Sequence, residues 1–212
     1  MQYILKYIFI PVLMIALTHG SALAGRWYIG ASLAAAKTDN DDDQLNRQLA
    51  DSGLNATAET QDDIRMPRQL YVGFGFTDQW GIELAYLDLD KVETTFTGTT
   101  VDIEAFLNSA QYIHPQTAQG LLYSVVYYLP VDYTTRVKFR LGMYDWSADY
   151  TLQATTASKV VSQGGSDMSY SVSMELGDWH SEGVVGHIKM EQYTIDQKDL
   201  KVVAFGFSYF FE

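Results

Sequence analysis

Large apolar side chains alternate with small or polar ones along most of this chain. The pattern is plainest at the end, Leu200 to Glu212. There Val203, Phe205, Phe207, Tyr209 and Phe211 take every second place, with Ala204, Gly206, Ser208 and Phe210 between them. Successive side chains of a strand face opposite sides, so one face is a strip of large apolar groups and the other is mostly small.

Seven earlier stretches carry the same period. In Trp27–Ala36, the residues Trp27, Ile29, Ala31 and Leu33 oppose Tyr28, Gly30, Ser32 and Ala34. In Arg68–Thr77, Leu70, Val72, Phe74 and Phe76 oppose Tyr71, Gly73, Gly75 and Thr77. Trp80–Leu89 sets Trp80, Ile82, Leu84 and Tyr86 against Gly81, Glu83 and Ala85. Gly120–Leu129 alternates poorly, and Tyr123, Val125, Tyr127 and Leu129 are taken as its apolar face. From Thr135, Arg136, Lys138 and Arg140 alternate with Val137, Phe139 and Leu141, and the strand continues through Tyr144 and Trp146. Met168–Leu176 places Ser169, Ser171, Ser173 and Glu175 opposite Met168, Tyr170, Val172, Met174 and Leu176. In Gly183–Ile195, His187, Lys189, Glu191 and Tyr193 oppose Ile188 and Met190.

The connections are unequal. Lys37–Met66, Lys91–Gln119 and Ala154–Asp167 are long; Asp78-Gln79, the turn opened by Pro130, Gly177–Glu182 and Asp196–Asp199 are short. The first long connection holds DQLNRQLADSGL, whose Leu45, Leu49 and Leu54 spacing predicts one short amphipathic helix capped by Gly53. Strands of about nine to eleven residues are what a tilted strand needs to cross a bilayer. Eight of them, joined alternately by long and short connections, predict an eight-stranded antiparallel up-and-down transmembrane barrel with the long loops outside. A soluble sandwich or a lipocalin-like barrel would turn the apolar face inward. Here the other face carries Glu83, Arg136, Lys138, Arg140, Glu175, Lys189 and Glu191, which suits a polar lumen. Trp27, Trp80, Tyr209 and Phe211, near strand ends, suit interfacial girdles.

Charge and composition narrow the reading. A net charge of −12 argues against nucleic acid as a partner, because phosphates need basic patches. The absence of cysteine removes disulfides, thiolate metal sites and thiol nucleophiles. Residues 1–24 read as a signal peptide: Lys6, an apolar run from Ile8 to Leu17, then Ala22-Leu23-Ala24 before Gly25. The barrel domain is expected over 25–212, in the outer membrane of a Gram-negative bacterium.

Together RWYIGASLA, DQLNRQLADSGLNATAE, GFGFTDQWGIELAYLDLDK, FRLGMYDWSADYTL and VVAFGFSYFF make the chain resemble the OmpA-like transmembrane domain family across 25–212. The resemblance implies a monomeric eight-stranded outer-membrane barrel. Its final strand, with Phe205, Phe207, Tyr209 and Phe211, would be the signal read by the barrel-assembly machinery. The family usually ends on the aromatic, whereas Glu212 follows Phe211 here. No peptidoglycan-binding domain follows in this sequence, so a cell-wall tether is not implied.

Candidate chemistry is sparse. Asp39-Asn40-Asp41-Asp42-Asp43 resembles the start of a calcium loop, but Gln44 and Ala50 stand where that loop needs Gly and Glu. It is read as a solvated acidic loop, and no metal or cofactor is expected. His114, His180 and His187 are the histidines after the signal peptide, and His180-Ser181-Glu182 is suggestive. Adjacent side chains diverge, however, and do not make a triad. No catalytic residue is assigned. The function expected is a non-enzymatic integral outer-membrane protein with loops for contact with surfaces, lipid or lipopolysaccharide. A low-conductance channel is the alternative, and a lipid A-modifying barrel enzyme the third reading. The lumen of so narrow a barrel is expected to be plugged by an ion-pair network.

Overall fold

The computed structural model describes residues 25–37, 42–51, 53, 55–61, 64–89, 93–98, 117–153, 158–195 and 198–211. The signal peptide, Asp39–Asp41, His114 and Glu212 lie outside them. In chain order the elements are β1 (Arg26–Lys37), α1 (Asp42–Asp51), β2 (Ala56–Gln61), β3 (Ile64–Arg65), β4 (Arg68–Gly75), β5 (Trp80–Asp88) and β6 (Glu93–Gly98). Then come β7 (Gln119–Pro130), β8 (Thr135–Gln153), β9 (Ser158–Leu176), β10 (Gly183–Ile195) and β11 (Lys198–Phe210).

Eight of these strands close a barrel in the order β1-β4-β5-β7-β8-β9-β10-β11 and back to β1. Closure is made by antiparallel pairing from Tyr28↔Phe210 to Ala36↔Val202. It leaves the wall without an exposed edge, the condition for strands in hydrocarbon, where no water satisfies backbone groups. The fold class expected from alternation is therefore the one observed. Short β3 prolongs the line of β4 along β1, pairing Lys37↔Ile64.

Burial is inverted relative to a soluble barrel. Leu70 is 64 % and Phe207 58 % exposed, whereas their neighbours Tyr71 and Ser208 are 6 % and 0 %. The large apolar strip of each barrel strand faces out, and Glu83, Arg136, Lys138, Arg140, Glu175, Lys189 and Glu191 face in beside buried apolar residues. No described helix is long and apolar enough to cross a membrane. Trp27 meets Phe74 at 4.9 Å, Trp80 meets Tyr127 at 4.9 Å, and Tyr209 meets Phe211 at 5.2 Å between ring centroids. All six rings sit at the end of the barrel with the short turns, so this belt marks one rim.

Glycine decides where rings fit inside. Tyr28↔Gly73 and Tyr71↔Gly30 are register partners across β1 and β4. A Cβ on Gly73 would come 2.0 Å from the Tyr28 ring, and one on Gly30 2.3 Å from the Tyr71 ring. Each tyrosine thus lies over the bare backbone opposite it.

Three features differ from the sequence-based expectation. First, Ala154–Asp167 is not a loop for most of its length: β9 starts at Ser158, and β8 and β9 have 19 residues each. Gly164-Gly165, a pair that usually marks a turn, lies within β9. Gly165 is the register partner of Trp146, and a Cβ there would come 3.0 Å from its ring. The glycine makes room for an aromatic, as in the barrel wall. Second, the first two long connections share a sheet of β2 and β6, with Thr57↔Thr97 and Glu59↔Thr95. Its strands come from separate loops, and no local pattern links them. The predicted helix, α1, docks on β2: Asn46 Nδ2 donates to the Ala58 carbonyl at 3.2 Å, and its Oδ1 accepts from the Ala58 N–H at 2.6 Å. Gly53, at φ 72°, closes the helix by donating to the Ala50 carbonyl. Third, Phe76 belongs to the turn, because β4 stops at Gly75.

The outward face yields a prediction. Phe207→Arg should destabilise the inserted barrel by about 2–4 kcal/mol if it lies near the midplane, read as a lowered folded fraction on semi-native gels. Val131→Arg, in a turn, should leave that fraction unchanged.

Candidate functional site

The inward face of β8 carries Arg136, Lys138 and Arg140 in a row, and all three are buried. A charge taken out of water costs several kcal/mol unless it is paired and hydrogen-bonded. The lumen supplies the partners. Arg136 and Glu175 are register partners on β8 and β9, and Arg136 Nε meets Glu175 Oε2 at 2.6 Å. Lys138 reaches Glu175 Oε1 at 3.6 Å and, across the lumen, Glu83 Oε2 on β5 at 2.5 Å. Arg140 Nη1 meets Glu83 Oε1 at 3.2 Å, and its Nη2 donates to Glu191 on β10. Lys189 meets Glu191 Oε1 at 3.2 Å and donates to Gln69. Three acids and four bases from β5, β8, β9 and β10 therefore form one connected network.

Tyrosines close it. Tyr28 donates to Glu83 Oε2 at 3.1 Å, and Tyr128 donates to the Tyr28 hydroxyl at 2.9 Å. Tyr71 bonds Ser208 at 2.8 Å and lies 3.5 Å from His187 Nδ1. Glu83 accepts from Lys138, Arg140 and Tyr28, so its two oxygens hold together three elements of the wall. Sequence reasoning missed Tyr28, Tyr128 and Gln69 as members. Their inward parity was visible, but nothing in alternation says which inward residues reach a charge.

Towards the short turns, Arg136 ends in an aromatic cage. Its guanidinium lies 4.0 Å from the Tyr128 ring centre, 4.8 Å from Trp179 and 5.2 Å from Phe210. Trp179 belongs to the 177–182 turn yet is buried, and its carbonyl accepts from Arg26 Nη1 at 3.0 Å. Asp178 shapes this turn, accepting from the Ser181 hydroxyl at 2.7 Å and the His180 N–H at 2.8 Å. Those donors hold its carboxyl below the usual range. The turn keeps that contribution above the ordinary carboxylate pKa and loses it as pH falls through the depressed one. No signal in the sequence marks Trp179 as a mouth residue.

Towards the long connections the lumen changes character. Tyr144, Leu87, Leu122, Tyr193, Leu200 and Ile195 are all buried there. Tyr144 packs on Tyr193 at 5.7 Å and donates to the Leu87 carbonyl. The polar lumen expected from parity thus fills only part of the barrel. Poor alternation in Gly120–Leu129 was a sign of this, since Leu122 and Val126 point inward and are apolar.

The suggestive His180-Ser181-Glu182 sequence diverges in space. Ser181 bonds Asp178, the His180 ring stacks on Tyr133 at 5.8 Å, and Glu182 accepts from the Tyr209 hydroxyl. No cluster of three metal-binding side chains occurs among the described residues. On the final strand, Phe205 and Phe207 face out, and Tyr209 and Phe211 stand on the aromatic rim.

A closed eight-stranded barrel, apolar outside and charged within, defines an integral outer-membrane β-barrel. The profile of the OmpA-like transmembrane domain matches residues 23–180, and the chain belongs to that family. Solved structures match it as well, and the first of them agrees in fold. Neisserial surface protein A aligns at 8 % identity with a TM-score of 0.50, over 87 % of this chain and 97 % of that one. Ail of Yersinia pestis, in complex with the heparin analogue sucrose octasulfate, aligns at 14 % identity and 0.47, over 88 % and 97 %. The N-terminal barrel of Pseudomonas aeruginosa OprF aligns at 9 % and 0.47, over 86 % and 97 %. No curated protein matches the chain.

Truncating the shared acid should expose the cost of the arrangement. Glu83→Ala leaves Lys138 without its nearest partner and Arg140 with one acid, and should lower unfolding stability by about 3–5 kcal/mol. Urea titration in lipid vesicles would measure it. Glu83→Gln, which keeps hydrogen-bond acceptance, should lose less.

Proposed function

We propose that this protein is a non-conducting, non-enzymatic outer-membrane barrel that carries a folded surface module for contact with lipopolysaccharide and other surfaces. The observation that carries the reading is a lumen filled twice over: an ion network towards the short turns and an apolar layer towards the long connections. An eight-stranded interior is just wide enough for side chains to fill. The module consists of α1, the β2–β6 sheet and the projecting β8–β9 ribbon. The turns at 76–79, 131–134 and 177–182 then lie in the periplasm, and the long connections, with the short one between β10 and β11, lie outside. Residues 1–24 act as the export signal. The final strand, through Phe205, Phe207, Tyr209 and Phe211, addresses the barrel-assembly machinery, and the protein works as a monomer.

The channel reading needs the charges to part. The apolar layer argues against it, because a dry constriction stays shut even when charges beneath it rearrange. In planar bilayers the refolded wild type should be silent. Glu83→Ala alone should stay silent, and Glu83→Ala with Leu122→Ser should give brief openings. A steadily open wild type would establish the channel instead.

Orientation has its own test. An epitope tag between residues 154 and 157 should bind antibody on intact cells. A tag in the Asp78-Gln79 turn should become reachable only after the outer membrane is permeabilised. The reverse result would invert the topology.

A further inference from the structure

The lipid-facing wall is not uniform. Over β1 it holds an open groove of about 500 Å³ lined almost wholly by apolar side chains. The cause lies in the sequence. Ala31 faces out between two large register partners, Leu70 on β4 and Phe207 on β11. Phe207 and Tyr209 form one side of the trough, and Tyr86 and Leu121 the other. Its position, in the wall that meets hydrocarbon, requires an occupant with an apolar chain.

The ends of the groove differ. Towards the short turns it runs to the aromatic rim at Tyr209. Towards the long connections it meets polar groups: the Tyr86 hydroxyl donates to Gln119 at 3.1 Å, and both residues are exposed. Arg68 follows Leu70 along the same face of β4, and Lys201 lies on the face of β11 that carries Phe205 and Phe207. Both are exposed. They are the outward-facing bases of the barrel wall among residues whose side chains are described, and they flank β1 on either side. Two strand spacings, roughly 10 Å, separate their strands. Leu33 pairs with Arg68 on one side and Phe205 on the other, so Lys201 stands further along its strand. Barrel tilt raises β4 and lowers β11 relative to β1, which brings the two cations towards one level. Asp88, the register partner of Arg68, lies on the far side from β1.

We infer that this groove is a binding site for the phosphorylated, multiply acylated disaccharide lipid of the outer leaflet, lipid A. One acyl chain lies in the trough over Ala31, and Arg68 and Lys201 meet the phosphates. Two cations astride one trough suit a headgroup with two phosphates. A glycerophospholipid with one phosphate leaves a cation unanswered. The inference rests on the orientation proposed above, which puts the long connections outside.

Native mass spectrometry of the detergent-solubilised full chain, with purified lipid A or with phosphatidylglycerol, tests it. The wild type should retain one lipid A at concentrations where phosphatidylglycerol is lost. Arg68→Ala and Lys201→Ala should each weaken retention about fivefold, the worth of one base near an anionic lipid surface. Ala31→Phe, which fills the trough from outside without touching the lumen, should abolish it. Leu141→Ala, on the opposite wall, should bind as wild type, and heat-shifted gel mobility would confirm that each variant is folded. Equal retention of phosphatidylglycerol, or wild-type lipid A binding by Ala31→Phe, would overturn the assignment. So would efficient disulfide dimerisation through Ala31→Cys, which would give the groove to a second copy. Retention in detergent does not depend on orientation, so the epitope tags decide that question separately.

Discussion

The carboxylate of Glu83 is the point on which the interior depends. A negative charge in so narrow a lumen has little water to turn to, and its burial is tolerable only because Lys138, Arg140 and Tyr28 point at it. Those donors come from β8 and β1, on either side of β5 and its neighbours. One side chain therefore ties distant staves of the wall together across the lumen. The same logic extends outward through Glu175 to Arg136 and through Glu191 to Lys189. Lys138 and Arg140 each meet two acids, whereas Arg136 has only Glu175 and Lys189 only Glu191, so losing either of those acids leaves a base unpaired. Such networks specify one arrangement of strands more than they add net stability.

The lumen also shows how small residues set a fold. Gly30 and Gly73 let Tyr71 and Tyr28 lie flat across the wall, and Gly165 does the same for Trp146 above it. Without those bare backbones the rings would have to stand into the space that the ion network occupies. The outer surface uses the converse device. Ala31 between Leu70 and Phe207 leaves a trough, where a larger residue would give a smooth wall.

Alternation made the strands legible, because a barrel in lipid writes its two environments into odd and even positions. It placed Arg136, Lys138 and Arg140 on one face of one strand. It could not say which acid each base meets, since that depends on strand offsets and on reach across the lumen. Lys138 joining Glu83, two strands away, is a tertiary fact with no local trace. The β2–β6 sheet was hidden for a related reason: its halves lie in different connections and each is short and threonine-rich. The β8–β9 extension was hidden because Gly164-Gly165 reads as a turn when the partner ring is unknown. Trp179 was unreadable because turns carry no parity.

Coupling between Glu83 and the bases of β8 holds the interior in one arrangement, and a double-mutant cycle measures that coupling directly. Unfolding free energies would be determined by urea titration in lipid vesicles for wild type, Glu83→Ala, Lys138→Ala and the double variant. If the network is one buried unit, the double variant should be less destabilised than the sum of the singles by about 1–3 kcal/mol. Additive losses would show that Glu83 and Lys138 do not depend on each other, and the interior would then be held by packing alone.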